Sequence, residues 1–260
     1  MSEPEQLPAS EPPGRADLQI HTSHGDAMED AWAIFERVEA MGTLDVVAVT
    51  DHDDIGGALL AREVHARGNY SFEFVPGIEV TTRSGHLLAL WVEEPVRSFQ
   101  SLEQTVAAIH GQGGLAVLPH PFSMLTRSIG RRRLERTLAI DDASVHPDGI
   151  ELANPTMFGW DVPRRRRLNE QRYGLAITGG SDAHFTELVG SAYTTFPGRS
   201  AEELRRAILE RTTDGVRERR VLLAEIGVRR LLHQQARGLS VTPRKVLGPP
   251  LRRVAAKLRR

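Results

Sequence analysis

Four histidines, His21, His52, His86 and His120, lie at or near the ends of short apolar runs, in company with Asp26, Glu79, Asp182 and His184. A lone histidine is most often a hydrogen-bonded structural residue, so each carries little by itself. Their shared placement carries more. In Asp182-Ala183-His184 the two-residue repeat of extended chain puts a carboxylate and an imidazole on one face, a natural corner for a metal ion. Glu79 and His86 flank Arg83-Ser84-Gly85, where a hairpin would let them face each other. Neutral imidazole suits Zn, Fe or Mn, and carboxylates add charge and can bridge two ions. Several such corners converging would make a polynuclear site. The chain has no cysteine, which excludes disulfides and thiolate ligation and leaves imidazole, carboxylate, amide and water as ligands.

Positioning those residues falls to β-branched runs that alternate with longer helical stretches. Strands are expected at 17–20, 44–50, 72–75, 78–82, 86–92, 115–118, 149–153 and 175–178. Helical spacing runs over 28–41, 58–67, 101–112 and 201–211, with a capping box at Ser101 and Gln104. Strands alternating with helices argue for an α/β fold with a largely parallel sheet. In α/β barrels, loops at the C-terminal ends of the strands aim side chains at one point, and most of the polar clusters follow a strand directly.

Asp17-Leu18-Gln19-Ile20-His21-Thr22, Thr50-Asp51-His52-Asp53, Gly77-Ile78-Glu79, Pro119-His120-Pro121 and Ser181-Asp182-Ala183-His184 resemble, in order, the motifs of the polymerase and histidinol phosphatase (PHP) domain family. The resemblance runs from about Asp17 to Val216. It implies a distorted (β/α)7 barrel with two or three divalent ions (Mn, Fe, Zn or Mg) at the strand C-termini. By that resemblance His21, Glu79 and Asp182 hold one ion. Glu79 bridges to a second, shared with His86 and His120. Asp26, His52 and His184 hold a third. Gln19 stands where the family usually has the first histidine of His-x-His. Its carbonyl oxygen can ligate a hard cation but is a weaker donor to Zn, which favours Mn or Mg there and a two-metal core with a further, uncertain ion. His24 is a substitute ligand, a substrate contact or a plain surface residue.

The activity implied is hydrolysis of a phosphate ester, with a small phosphorylated metabolite or nucleotide as substrate. Paired metals lower the pKa of a bound water and bind the non-bridging phosphate oxygens, so no Ser or Cys nucleophile is needed. Asp51 and Asp53 are the candidate catalytic carboxylates outside the ligand set, orienting metal ligands or capping the helix that follows. Arg127 and Arg131, with Arg132 and Arg133, are candidates to grip phosphate from a loop over the metals, and Asn154 is a candidate for the rim. The run 164–167 reads as a surface helix.

Charge divides the chain unevenly. Residues 217–260 hold thirteen Lys/Arg against two acids, a charge of +11, so the net −1 conceals a body at −12. The expected layout is a disordered tail over 1–14, a phosphoesterase domain over 15–216 and a basic tail over 217–260. That tail suits an anionic membrane surface or nucleic acid, or else packs on the barrel with a loose basic end. No apolar run is long enough to span a membrane, and residues 1–14 lack a signal pattern, so a cytoplasmic protein, peripheral to the membrane if the tail binds one, is expected. The sequence leaves the oligomeric state open. Two other readings stand beside the phosphoesterase: a nuclease or exonuclease on short nucleic acids, and a non-catalytic metal or phosphate sensor.

Overall fold

The computed structural model describes residues 12–123, 126–155, 161–218 and 226–238. Among them, β1 (Gly14–Ile20), β2 (Val46–Val49), β3 (Glu73–Thr82), β4 (Gly85–Leu90), β5 (Leu115–Leu118), β6 (Gly149–Ala153), β7 (Ala176–Gly179), β8 (Ala192–Phe196) and β9 (Asp214–Arg217) form one sheet. Its order is β7-β6-β5-β4-β3-β2-β1-β8-β9. Strands β1 to β3 and β5 to β7 pair in parallel, whereas β4 and β8 run antiparallel to both neighbours.

The two ends of the sheet come back together. Ile20 bridges Ala183, His21 N donates to Ala183 O at 2.9 Å, and Gly179 N donates to the Thr194 hydroxyl at 2.9 Å. The result is a nearly closed α/β barrel, distorted by the β3–β4 hairpin and the antiparallel β8–β9 pair. The barrel class agrees with expectation.

Helices α1 (Ala31–Met41), α2 (Gly56–Arg67), α3 (Leu102–Gly111), α4 (Arg131–Leu138), α5 (Val162–Leu168) and α6 (Ala201–Glu210) pack around it. Along β2, Val47 and Val49 join a core with Ile34 and Phe35 of α1 and Ala58 and Ala61 of α2. The alternate residues Val46 and Ala48 join a second core with Leu204, Ala207 and Ile208 of α6. Both faces of the strand are therefore buried, as continuous apolar runs in parallel sheets require.

Sequence and structure differ at several elements. Helix α1 starts at Ala31 because Asp30 caps it, its side chain accepting from Ala33 N. The capping box at Ser101 and Gln104 is present. The expected strands at 72–75 and 78–82 are one strand, β3, which pairs with β2 up to Pro76 and with β4 from Gly77 onward. Strands β8 and β9 and helix α4 have no counterpart in the sequence reading, whereas α5 carries the run 164–167 expected as a helix. Residues 228–238 are also helical. The remainder of the basic tail, 219–225 and 239–260, and residues 1–11 of the expected N-terminal tail lie outside the described residues. Among the described residues no helix is long and apolar enough to cross a membrane.

Candidate metal centre

Strand ends bring the expected ligands to one end of the barrel. Gln19 lies in β1 and His21 follows it, His52 follows β2, Glu79 lies in β3 and His86 in β4. His120 follows β5, Asp182 and His184 follow β7, and Asp26 lies in the turn after β1. Glu79, fully buried, is the centre. Its Oε1 lies 2.7 Å from His86 Nδ1 and 3.1 Å from His120 Nε2. Its Oε2 lies 3.1 Å from His21 Nε2 and 3.6 Å from His52 Nδ1. Asp182 Oδ1 is 3.2 Å from His21 Nε2, and Asp26 Oδ1 is 3.3 Å from His184 Nε2.

Three sets of ligand atoms, each within 4.8 Å of one another, result: His21, Asp26, His52 and His184; His52, Glu79 and His86; and His21, Glu79 and Asp182. Two match the groupings that the resemblance implied, with His21 added to one of them. The middle set has His52 beside His86, where His120 was expected, although His120 touches the same Glu79 oxygen. Apart from these contacts, Gln19 Oε1, Asp26 Oδ1, His52 Nδ1 and both ring nitrogens of His21 are buried and make no hydrogen bond. Buried polar atoms rarely remain so. Orphaned oxygen and imidazole donors facing one another around three carboxylates fit hard or borderline divalent cations.

The electrostatics agree. Burial disfavours the Glu79 charge, but the imidazoles of His52, His86, His120 and His21 outweigh it and hold the carboxyl well below its usual range. Burial likewise opposes charge on His21, yet Asp182 and Glu79 lift it well above an ordinary histidine. His52 goes the other way, lowered by burial to about 4. Carboxylates packed this closely call for positive charge between them, from protons on histidine or from a metal.

Supporting residues hold the ligands in unusual backbone conformations. His120 (φ 30°) and Asp182 (φ 53°) are left-handed, a conformation that costs a non-glycine residue roughly 1–2 kcal/mol. Glu151, in β6, accepts from His120 N at 2.7 Å and from Asn154 Nδ2 at 2.8 Å, and burial pushes its carboxyl up to about 8. The His120 Nδ1 edge meets the hydroxyls of Ser128 and Thr126, both at 3.0 Å. Asp17 accepts from Ser181 N and Gly190 N, both at 2.9 Å, tying β1 to the turn that carries Asp182.

Several expectations change. Asp51 accepts from Thr22 N and Oγ1 at 2.7 and 2.6 Å and sits against Gly57, where a Cβ would not fit. Asp53 (φ 55°) accepts from Thr81 N and Oγ1, both at 2.7 Å, and from the Ser98 hydroxyl at 2.6 Å. These contacts make both carboxylates braces of the loops beside His21 and His52. Gln19 directs its amide nitrogen at Glu79 Oε2 (3.1 Å) and Asp182 Oδ1 (3.3 Å) as a hydrogen-bond donor to two ligands, while its carbonyl Oε1 stays buried without a hydrogen bond. His24 turns outward to Asp54 at 3.1 Å and is no substitute ligand.

Arg131 begins α4 and pairs with Glu135 at 2.9 Å, and Arg133 pairs with Glu103, so this run forms a helix and not a loop over the metals. Arg127 does reach the site. It lines a cavity of about 390 Å³ together with His52, Glu79, His86, His120 and Asp182, its guanidinium 5.5 Å from the Phe99 ring centre. Asn154 is buried beneath the site as a support for Glu151 rather than at its rim. Within 164–167, Arg165 is buried, paired with Asp161 at 2.6 Å and donating to Pro121 O just beyond His120.

Sequence reasoning missed Glu151, though a carboxylate inside the apolar strand Gly-Ile-Glu-Leu-Ala was a usable signal. It also missed the tail's place in the site. Gln234 Nε2 donates to Asp26 Oδ2 at 3.3 Å, and Ile226, Leu231 and Gln235 line the same cavity.

A family model described as "PHP-associated" matches residues 165–213. The chain is 32% identical over 151 residues to an uncharacterized protein of Methanocaldococcus jannaschii, covering 52% of this chain and 85% of that one. It is 37% identical over 84 residues to the 3',5'-nucleoside bisphosphate phosphatase of Chromobacterium violaceum, which is 32% of this chain and 28% of that one. Among solved structures, the fold is similar to a two-domain Bacteroides vulgatus protein containing a predicted PHP-like metal-dependent phosphoesterase. The TM-score there is 0.62 at 19% identity, covering 82% of this chain and 68% of that one. An amidohydrolase from Chromobacterium violaceum with bound sulfate gives 0.58 at 21% identity, covering 78% and 97%.

Proposed function

The chain belongs to the polymerase and histidinol phosphatase (PHP) family, and we propose that it hydrolyses a phosphate ester of a small metabolite or nucleotide. The observation that carries this reading is the geometry around Glu79, whose two oxygens lie within 3.6 Å of four imidazoles from four different strands or strand ends. The relative named as a nucleoside bisphosphate phosphatase, similar over a third of this chain, supports a phosphorylated substrate.

Divalent ions held by His21, Asp26, His52, Glu79, His86, His120, Asp182 and His184 would supply an activated water and neutralise phosphate oxygens. The chain's own residues do the rest. Glu79 spans the cluster with one oxygen toward His86 and His120 and the other toward His21 and His52. Gln19 fixes the rotamers of Glu79 and Asp182 through its two N–H donors. Arg127, on the cavity wall, is placed to take a phosphate oxygen that faces away from the ligands.

Metal analysis joined to a phosphatase screen with Mn, Fe, Zn and Mg tests the proposal. Wild-type protein is expected to release inorganic phosphate from at least one small ester, and Asp182→Ala is expected to abolish that release. Full activity in the variant would place the chemistry elsewhere. Tight phosphate binding with no turnover under any metal would make the protein a sensor.

A further inference from the structure

We infer that residues 226–238 form the wall that selects the substrate, restricting the site to compact esters whose leaving group pairs an apolar face with hydrogen-bonding atoms. This rests on the phosphoesterase reading above. The segment comes from the basic tail, whose arginines suggested contact with a membrane or nucleic acid. Two of them are used inside the protein instead. Arg230 donates to Glu187 Oε1 at 2.6 Å and to Glu29 Oε1 at 2.8 Å, with its guanidinium 5.1 Å from the Phe185 ring centre. Arg237 donates to Ser23 O at 2.9 Å and Gly25 O at 3.1 Å. Between these anchors, buried Gln234 reaches Asp26.

All three contacts include the loop that carries Asp26, with partners at 23, 25, 26 and 29. The helix and one ligand-bearing loop are therefore a single packed unit. Besides the ligands, the cavity is lined by Phe185 and Leu188 of the barrel and by Ile226, Leu231, Gln234 and Gln235 of the segment. That face is mostly apolar, with two side-chain amides.

Size and chemistry together define what fits. A volume of about 390 Å³ lies toward the small end of ligand pockets. A nucleic-acid strand needs a basic groove along which its backbone can run, whereas among the described residues this cavity is lined by one arginine, Arg127, and by the mostly apolar face of the segment. A phosphate on the floor leaves its leaving group against Ile226 and Leu231, within reach of the Gln234 and Gln235 amides. Adding or removing a hydrogen-bonding atom on that group discriminates more sharply than adding a methylene.

The test compares two monoesters, p-nitrophenyl phosphate and a 5'-phosphorylated trinucleotide, in wild-type, Arg230→Ala and Gln235→Trp proteins. Wild type is expected to prefer the compact ester. Arg230→Ala should shift the kcat/KM ratio toward the trinucleotide by about tenfold, carried mainly by its KM, because the loss is of a steric barrier to binding. Amide hydrogen exchange over 228–238 should quicken in the same variant. Gln235→Trp, which fills the mouth, should move the ratio the other way. A ratio unmoved by Gln235→Trp, or by Arg230→Ala when its helix exchanges faster, overturns the inference.

A readout independent of turnover separates this inference from the reading beneath it. Inorganic phosphate added with Mn should slow exchange of the 228–238 amides if the helix walls an anion-binding pocket. If no ester is hydrolysed but that protection appears, the phosphoesterase reading fails while the wall stands. If esters are hydrolysed and no protection appears, the wall fails alone.

Discussion

The floor and the wall of the cavity are built on opposite principles. The floor is made of strand ends, its ligands buried and braced by backbone donors, as with Asp17 on Ser181 and Gly190 and Glu151 on His120. The wall is a short helical segment held by two arginines and one amide, with the side chains of the Arg230 clamp 24% to 37% exposed. Exposed pairs contribute modestly and are screened by salt, whereas buried ligands answer to each other's charge at short range. A rigid floor suits chemistry that needs fixed geometry. A loosely clamped wall suits the step that has to admit and release a substrate.

The largest effect should come from the floor. Glu79→Ala removes the carboxylate that four imidazoles share, and kcat/KM should fall by about a thousandfold or more, the equivalent of several kcal/mol of metal-centred stabilisation. Steady-state kinetics with metal content measured in parallel checks this, and a fall under tenfold would show that the floor is not the reaction centre. Next comes its support. Glu151→Ala frees His120 N and should cost about 10–100-fold in metal affinity or activity, read by competition with a chelator. An unchanged affinity would make Glu151 a packing residue only.

Gln19 sharpens the comparison from the other side. Gln19→His replaces a hydrogen-bond donor with an imidazole, and should raise metal retention in a chelator challenge by about tenfold. No change would mean that position 19 serves the floor only by aligning Glu79 and Asp182.

The wall should respond to salt where the floor does not. Raising ionic strength from about 0.05 to 0.5 M shortens the screening length severalfold, so exchange over 228–238 should quicken while that over β1 and β3 stays put. Equal responses would erase the distinction between the two regions. The smallest effect lies away from both. A hydrogen bond from the ring to Asp148 and that carboxylate's charge raise the pKa of His110 above the ordinary value. A raised pKa means that the protonated ring favours folding below the unfolded value of about 6.5, and that the gain fades as pH rises through the folded value. The melting difference between wild type and His110→Gln should be about 1–2 °C below pH 6 and vanish in alkali.

How legible each region was follows from the same physics. The floor could be read because strand ends put chemistry next to short apolar runs, and eight of its side chains stand in motifs or one turn away. The barrel could be read from alternation of strands and helices. Strands β8 and β9 could not, because Ala192–Phe196 carries small and hydroxylated residues and Asp214–Arg217 is charged, short and only partly buried. The arginines 131–133 misled because charge alone cannot tell a loop from a helix face. The wall was illegible for a different reason: its anchors pair residues about 40 to 210 positions apart, and no local pattern marks them.

The left-handed backbone at Asp182 carries a consequence for how such a site can change over generations. Glycine would sit there without strain, and would also remove a carboxylate from a crowded, charged cluster. Asp182→Gly thus sets relief of backbone strain against the loss of the carboxylate that faces His21 and Gln19, and a screen for turnover would reject it whichever way stability moves.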